Sequence, residues 1–494
     1  MIGRSILSYL PVNMANLLTA FGTIVVLTRL LEPTQFGIYA VAMITMQFFH
    51  MALFTWMEAA MVRFQARAER ENDVANHLKT LYRLAFITGV AGFTLVMTAL
   101  YLSPLDHKLV FVLVFALAST CLHIIFSLGM EAHKAAHRIK RYSVAYTSKT
   151  FIAFTLGILF IFTTPLQASA PFLGIICGLI IVGGIDFLFM KRLMRGGQYQ
   201  SKKAKTYFVY GAPLCIGLLL SYALNSADVY LIAAIMGSAS AGEYNAGYNL
   251  AARSLEILFV WVSMAVTPVA ITAMEQDGSE KTRKILKEYG AILLWIAVPA
   301  AVGIALVSKD ASFVLGEGVR EGAISVMPWI AFAGLINGYM TYYVHRAFML
   351  SGQTHKFVWA LVLPVILNLG LNLILIPKMG LMGAVWSTIA AYVLAIISAT
   401  ILARQDFPLP LPVRAAAEIF AASAAMAVAV ILLPLDGFTP GVLTLIIKAS
   451  VGIIVYLIAC WIINAADCRR VIADIYEKLT NFVKKSPVDV PDEL

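Results

Sequence analysis

Charge is what this 494-residue chain has least of. Asp, Glu, Lys and Arg make up 13% of it, about half the roughly 25% of an ordinary soluble domain. A stack of soluble domains is therefore excluded. Nucleotide hydrolysis of the usual kind is excluded too, because no Gly-x-x-x-x-Gly-Lys-Ser/Thr loop is present. The five cysteines (Cys121, Cys177, Cys215, Cys460 and Cys468) have no C-x-x-C spacing, so they read as small packing residues rather than a disulfide or metal framework. His50, His123 and His345 stand in or near apolar runs without H-E-x-x-H spacing, and no metal site is expected. The formal charge of +10 does not point to nucleic acid, which needs a basic face on a water-exposed domain. Here Lys and Arg fall in short stretches between apolar runs.

Apolar residues are abundant, at 60%, with a mean hydropathy of +0.83. The 28 Phe, 20 Tyr and 20 Met suit lipid-facing and helix-packing surfaces, and no cofactor is read into them. Crossing a hydrocarbon layer of roughly 30 Å takes about 20 mostly apolar residues. Fourteen stretches qualify: 7–28, 37–60, 80–102, 109–130, 143–164, 169–190, 207–227, 242–267, 289–308, 323–345, 357–377, 380–403, 415–434 and 441–463. They are numbered spans 1 to 14 below. The expectation is an all-α integral membrane protein, with the N-terminal run retained as a membrane helix rather than cleaved as a signal peptide.

Basic residues test the alternation of sides that fourteen spans impose. One side collects 30 Lys and Arg and the other only five: Arg29, Lys108, Lys309, Arg320 and Lys378. By the positive-inside rule the rich side is cytoplasmic and holds both termini. The longest outer loop is expected between Lys309 and Glu321, which leaves no room for an extramembranous domain. Beyond Asn464, the stretch 471–483 is amphipathic and the end is acidic, as for a surface helix followed by a frayed terminus.

The chain also repeats itself. Leu27 to Ala40, LTRLLEPTQFGIYA, joins spans 1 and 2, and Met236 to Ala251, MGSASAGEYNAGYNLA, joins spans 7 and 8. Each carries Gly-x-Tyr at the mouth of an apolar run: Gly37 with Tyr39, and Gly242 with Tyr244. Two six-span bundles in the same orientation follow, 1–205 and 206–403. Parallel repeats of this kind mark transporters whose site lies between the halves.

At TRLLEPTQFGIYA the sequence resembles the polysaccharide-biosynthesis flippases, the Wzx-like oligosaccharide-lipid translocators of the multidrug/oligosaccharidyl-lipid/polysaccharide exporter superfamily. The resemblance continues in AMVRF (Ala60 to Phe64), in Tyr210-Gly211-Ala212-Pro213, in Ser226 to Ala251 and in LNLILIPKMGLMGAVWST (Leu371 to Thr388). One departure is Asp228-Val229, where the family commonly has Asp-Arg. The resemblance implies a MATE-like fold, with 404–463 as accessory helices 13 and 14 and 464–494 as a cytoplasmic tail. It also implies a cargo: an oligosaccharide on an undecaprenyl-pyrophosphate type carrier, turned across the bacterial cytoplasmic (inner) membrane, with membrane lipids, a polysaccharide polymerase and export machinery as partners. Rival readings are a MATE-type ion-coupled drug antiporter and a membrane polymerase or glycosyltransferase. The near-empty outer loops disfavour the last.

A pyrophosphate headgroup cannot enter hydrocarbon unaided, so basic residues at span ends and interiors are the substrate-binding candidates. Arg253 in span 8 reads either as an anion contact or as one half of an intrahelical pair with Glu256. Arg29 and Arg63 read as headgroup contacts or as interfacial anchors. Lys448 in span 14 is expected to snorkel to the surface. Among acids, Asp228, Glu256 and Glu58 are the coupling or structural candidates, with Asp186 and Glu418 as further membrane-edge acids. Asn368 and Asn372, at i and i+4, face one way from span 11.

Overall fold

The computed structural model describes residues 2–435 and 437–469. The amphipathic stretch 471–483 lies outside the described residues. Among the described residues, fourteen helices are long and apolar enough to cross a membrane: Pro11–Leu30, Pro33–Leu53, Val74–Leu102, His107–Ala135, Ile139–Thr163, Gln167–Leu193, Ser201–Met236, Ser238–Gln276, Gly278–Val314, Glu317–Leu350, His355–Met379, Leu381–Ala403, Val413–Ile431 and Val442–Ile463. They match the expected spans one for one. Helix is the state that lets each backbone N–H and C=O find a partner within its own segment, as hydrocarbon demands.

The connections are tighter than the sequence predicts. Pro33 starts span 2 at its first helical position, where a missing N–H costs nothing. Spans 11 and 12 are separated by Gly380 alone, at φ 60°, a left-handed conformation that glycine adopts without strain. The expected outer loop from Lys309 to Glu321 is largely helical, leaving Leu315 and Gly316 between spans 9 and 10. Gly316 donates its N–H to Thr28 Oγ1 at 3.1 Å, which ties that turn to the end of span 1.

Span 2 differs in a second way. The helix breaks at Phe54, and a separate helix, Thr55–Arg70, continues the chain. No Pro or Gly causes this. Phe54 is fully buried against Phe49, with ring centroids 5.9 Å apart, and the Leu53 carbonyl freed by the break accepts from the Trp56 indole at 2.9 Å. A kink with its orphan carbonyl satisfied by a side chain is a stable break.

The chain divides into two compact units. One comprises Met1–Leu250, Val314–Val326 and Thr354–Ala399; the other comprises Ala251–Phe313, Met327–Gln353 and the chain from Thr400. In the first unit the two repeated hairpins abut. A Cβ added to Gly37 would fall 1.6 Å from the Ser238 carbonyl oxygen, and one added to Gly242 would fall 3.0 Å from the Gly37 nitrogen. Spans 5 and 6 close in the same manner, with Gly174 against Gly157. Small residues let helix backbones approach where lipid offers no hydrophobic drive to associate. In the second unit, Tyr456 donates to the Trp295 carbonyl at 2.7 Å, linking spans 14 and 9.

Candidate functional site

Asp228 sits toward the C-terminal end of span 7 and is 1% exposed. Its carboxylate accepts from Tyr244 Oη at 2.9 Å, Thr388 Oγ1 at 2.5 Å and Asn372 Nδ2 at 2.7 Å. Asn372 also donates to Asn368 Oδ1 at 3.2 Å. One turn earlier on span 7, Asn225 accepts from Tyr392 Oη at 2.7 Å. Spans 7, 8, 11 and 12 are thus gathered around one buried acid. None of its hydrogen-bond partners is cationic, so neutral donors alone hold its charge, a costly arrangement that persists only when the donors are well placed.

The site leaves one valence open. Asn372 Oδ1 is buried with no partner. Rotating that amide would turn the oxygen toward Asp228, an encounter between two acceptors that a proton on the carboxyl or an alkali cation between the oxygens would resolve. Among the described residues no three His, Cys, Asp or Glu gather as for a multivalent metal. Proton or monovalent cation exchange is the chemistry this oxygen-rich pocket suits.

The sequence pairs Asn368 with Asn372 correctly but does not join them to Asp228. Tyr244 is the tyrosine of the second Gly-x-Tyr repeat, whereas its counterpart Tyr39 packs on Phe172 at 5.4 Å. The repeat has therefore diverged in chemistry while keeping its backbone contact.

Glu58 lies just beyond the break in span 2, with His50 Nε2 at 3.1 Å across the kink and the Ser127 hydroxyl donating to the same oxygen. Arg63 is exposed and lines a concavity of ≈ 460 Å³ with Ala59, Val62 and Tyr210. At the other end of the unit, Arg29 lines one of ≈ 480 Å³ that also holds Thr28, Glu317 and Arg320. In the second unit Arg253 Nη1 meets Glu256 Oε2 at 2.7 Å, the two side chains being 55% and 44% exposed. Of the remaining acids, Asp186 lies between His133 at 2.8 Å and Arg141 at 3.3 Å, and Glu418 pairs with Arg414 at 2.8 Å.

Lys448 corrects an expectation. It does not snorkel; its ammonium lies 2.6 Å from Asp310, which is 2% exposed. A carboxylate buried at that depth captures the lysine, because leaving it unpaired costs more than holding the long side chain in place.

A family model for polysaccharide biosynthesis proteins matches residues 2–274. The chain belongs to that family. Its polysaccharide-family relatives include a Haloferax volcanii protein described as a probable flippase, 26% identical over 204 residues, covering 41% of this chain and 42% of that one. An uncharacterized membrane protein of the Klebsiella pneumoniae cps region is 21% identical over 314 residues, covering 62% of each chain. The matches thus span less than two thirds of either relative's length. In fold, this family member is similar to the lipid II flippase MurJ in an inward closed conformation, with TM-score 0.73 and 14% identity over 92% of this chain and 98% of that one. It is also similar to an inward-facing multidrug resistance MATE family transporter, with TM-score 0.65 and 14% identity over 78% and 94%.

Proposed function

We propose that the protein is a flippase that carries a lipid-linked oligosaccharide, of the undecaprenyl-pyrophosphate type, across the bacterial cytoplasmic membrane by alternating access. The observation that carries this reading is membership of the polysaccharide biosynthesis family in a chain folded like a lipid II flippase. The chemistry agrees with it. Arg63 and Arg29, each in a concavity at one end of the first unit, are suited to receive and release an anionic headgroup, and Arg253 with Glu256 forms a pair that an anion can open. Asp228, held by neutral donors, is the group through which a proton or alkali cation drives the cycle, and Glu58, held by His50, is a second titratable group. Work of this kind needs no covalent step, so the protein is read as a transporter rather than an enzyme, working upstream of a polymerase and export machinery.

Both termini are placed in the cytoplasm, from the 30-to-5 distribution of basic residues. Accessibility tags after residues 35 and 200 should report opposite faces; the same face for both contradicts this orientation. A second reading, an ion-coupled drug antiporter, draws on the MATE-like fold and the buried Asp228. Deletion of the gene separates the two. Flippase function predicts accumulation of glycosylated lipid carrier on the inner leaflet and loss of surface glycan. Unchanged glycan with new sensitivity to cationic drugs overturns it.

A further inference from the structure

Lys149 is the eleventh residue of the 25-residue helix Ile139–Thr163. At 1.5 Å per residue it stands about 15 Å along the helix, well within the apolar span. In the sequence it groups with the basic residues of the cytoplasmic loop, but the structure places it between helices. A cation at that depth is retained for a reason, and it normally finds a carboxylate.

Lys149 has none within 4 Å among the described residues. Its Nζ faces two rings instead, 5.7 Å from the Phe126 centroid and 5.2 Å from that of Tyr146. The acids of this bundle are already engaged: Glu58 by His50 and Ser127, Glu131 by Lys134 at 2.6 Å, and Asp186 by His133 and Arg141. In the same bundle His50 Nδ1 is buried without a partner, the His50 ring is 5.4 Å from that of His123, and the His123 ring is 6.5 Å from that of Phe126. The bundle therefore holds, in mid-span, an ammonium with no carboxylate within 4 Å among the described residues, faced by two aromatic rings.

We propose that Lys149 is a headgroup-binding residue, taking a phosphate of the polyprenyl diphosphate carrier inside the bundle of spans 1 to 6. The inference rests on the flippase reading and adds to it the place where the anion is held in mid-membrane. A lysine suits this role because it offers a compact point charge to a phosphate passing through, without the fixed two-pronged geometry of arginine.

Native mass spectrometry of the purified full-length protein with undecaprenyl diphosphate, and with undecaprenol as a phosphate-free probe, tests it. Wild type should prefer the diphosphate. Lys149→Met should lose about tenfold in diphosphate affinity while binding undecaprenol as before, and Lys149→Arg should keep most of it. A second measurement avoids substitution: undecaprenyl diphosphate, and not undecaprenol, should protect the Lys149 amine of wild type from acetylation. Unchanged diphosphate affinity in a folded Lys149→Met, or absence of protection, overturns the role of Lys149 alone. A wild type that does not distinguish diphosphate from undecaprenol overturns the flippase reading with it.

Discussion

Replacing Asp228 separates its charge from its hydrogen bonds. In Asp228→Ala, Tyr244 Oη, Thr388 Oγ1 and Asn372 Nδ2 lose their acceptor in a site that is 1% exposed. Each stranded buried donor costs about 1–3 kcal/mol, so the variant should be destabilised by about 3 kcal/mol or more. Asp228→Asn removes the charge and keeps the shape. Its carbonyl oxygen can still accept from Tyr244 and Thr388, and its amide can donate to Asn372 Oδ1, now without a partner, once that side chain rotates. Asn should therefore cost less than about 1 kcal/mol. Unfolding midpoints in a denaturing detergent, followed by size exclusion, measure the contrast. Glycan export measures the other half: Asp228→Asn should insert and fold but lose export. Equal destabilisation by Ala and Asn would refute the hydrogen-bond reasoning, and normal export by Asp228→Asn would refute coupling through this carboxyl.

Gly37→Ala should destabilise by about 1–3 kcal/mol or more, because its Cβ would meet the Ser238 carbonyl; Gly303→Ala, with nothing within 4 Å, should be neutral or stabilising, and thermal unfolding compares them. Lys448→Met should cost about 3–5 kcal/mol by stranding Asp310, with most of it recovered in Lys448→Met/Asp310→Leu; recovery below half in the unfolding midpoint contradicts the pairing argument. The exposed Arg253–Glu256 pair contributes less than about 1 kcal/mol, so Arg253→Ala should reach the membrane at wild-type level yet fail to export glycan, while Arg253→Lys retains part of the activity. Wild-type export by Arg253→Ala removes that residue from the transport path.

The spans were legible because hydrocarbon allows so few solutions: length and apolarity decide helix. The Gly-x-Tyr repeats marked a duplicated plan, but not the close approach of Gly37 to Gly242 that the structure shows. The break at Phe54 was not legible, since it depends on where a buried ring and an indole N–H end up rather than on a local breaker. Partners far apart in sequence were equally hidden. Asn368 and Asn372 reveal a shared face through their spacing, but Thr388 reaches Asp228 across 160 positions and Lys448 reaches Asp310 across 138. Lys149 was obscured for another reason. A span 5 that begins at residue 143 puts it near the edge, whereas the helix begins at Ile139, and a few residues at a boundary decide whether a cation counts as loop or interior.

Leaflet exchange in reconstituted vesicles addresses the central claim most directly. Purified protein is placed in liposomes with a fluorescent undecaprenyl-diphosphate oligosaccharide, and a membrane-impermeant reductant reports the fraction on the outer leaflet over time. Complete bleaching with the protein, against bleaching that stops near half without it, is the predicted result. A plateau near half in both would contradict the account.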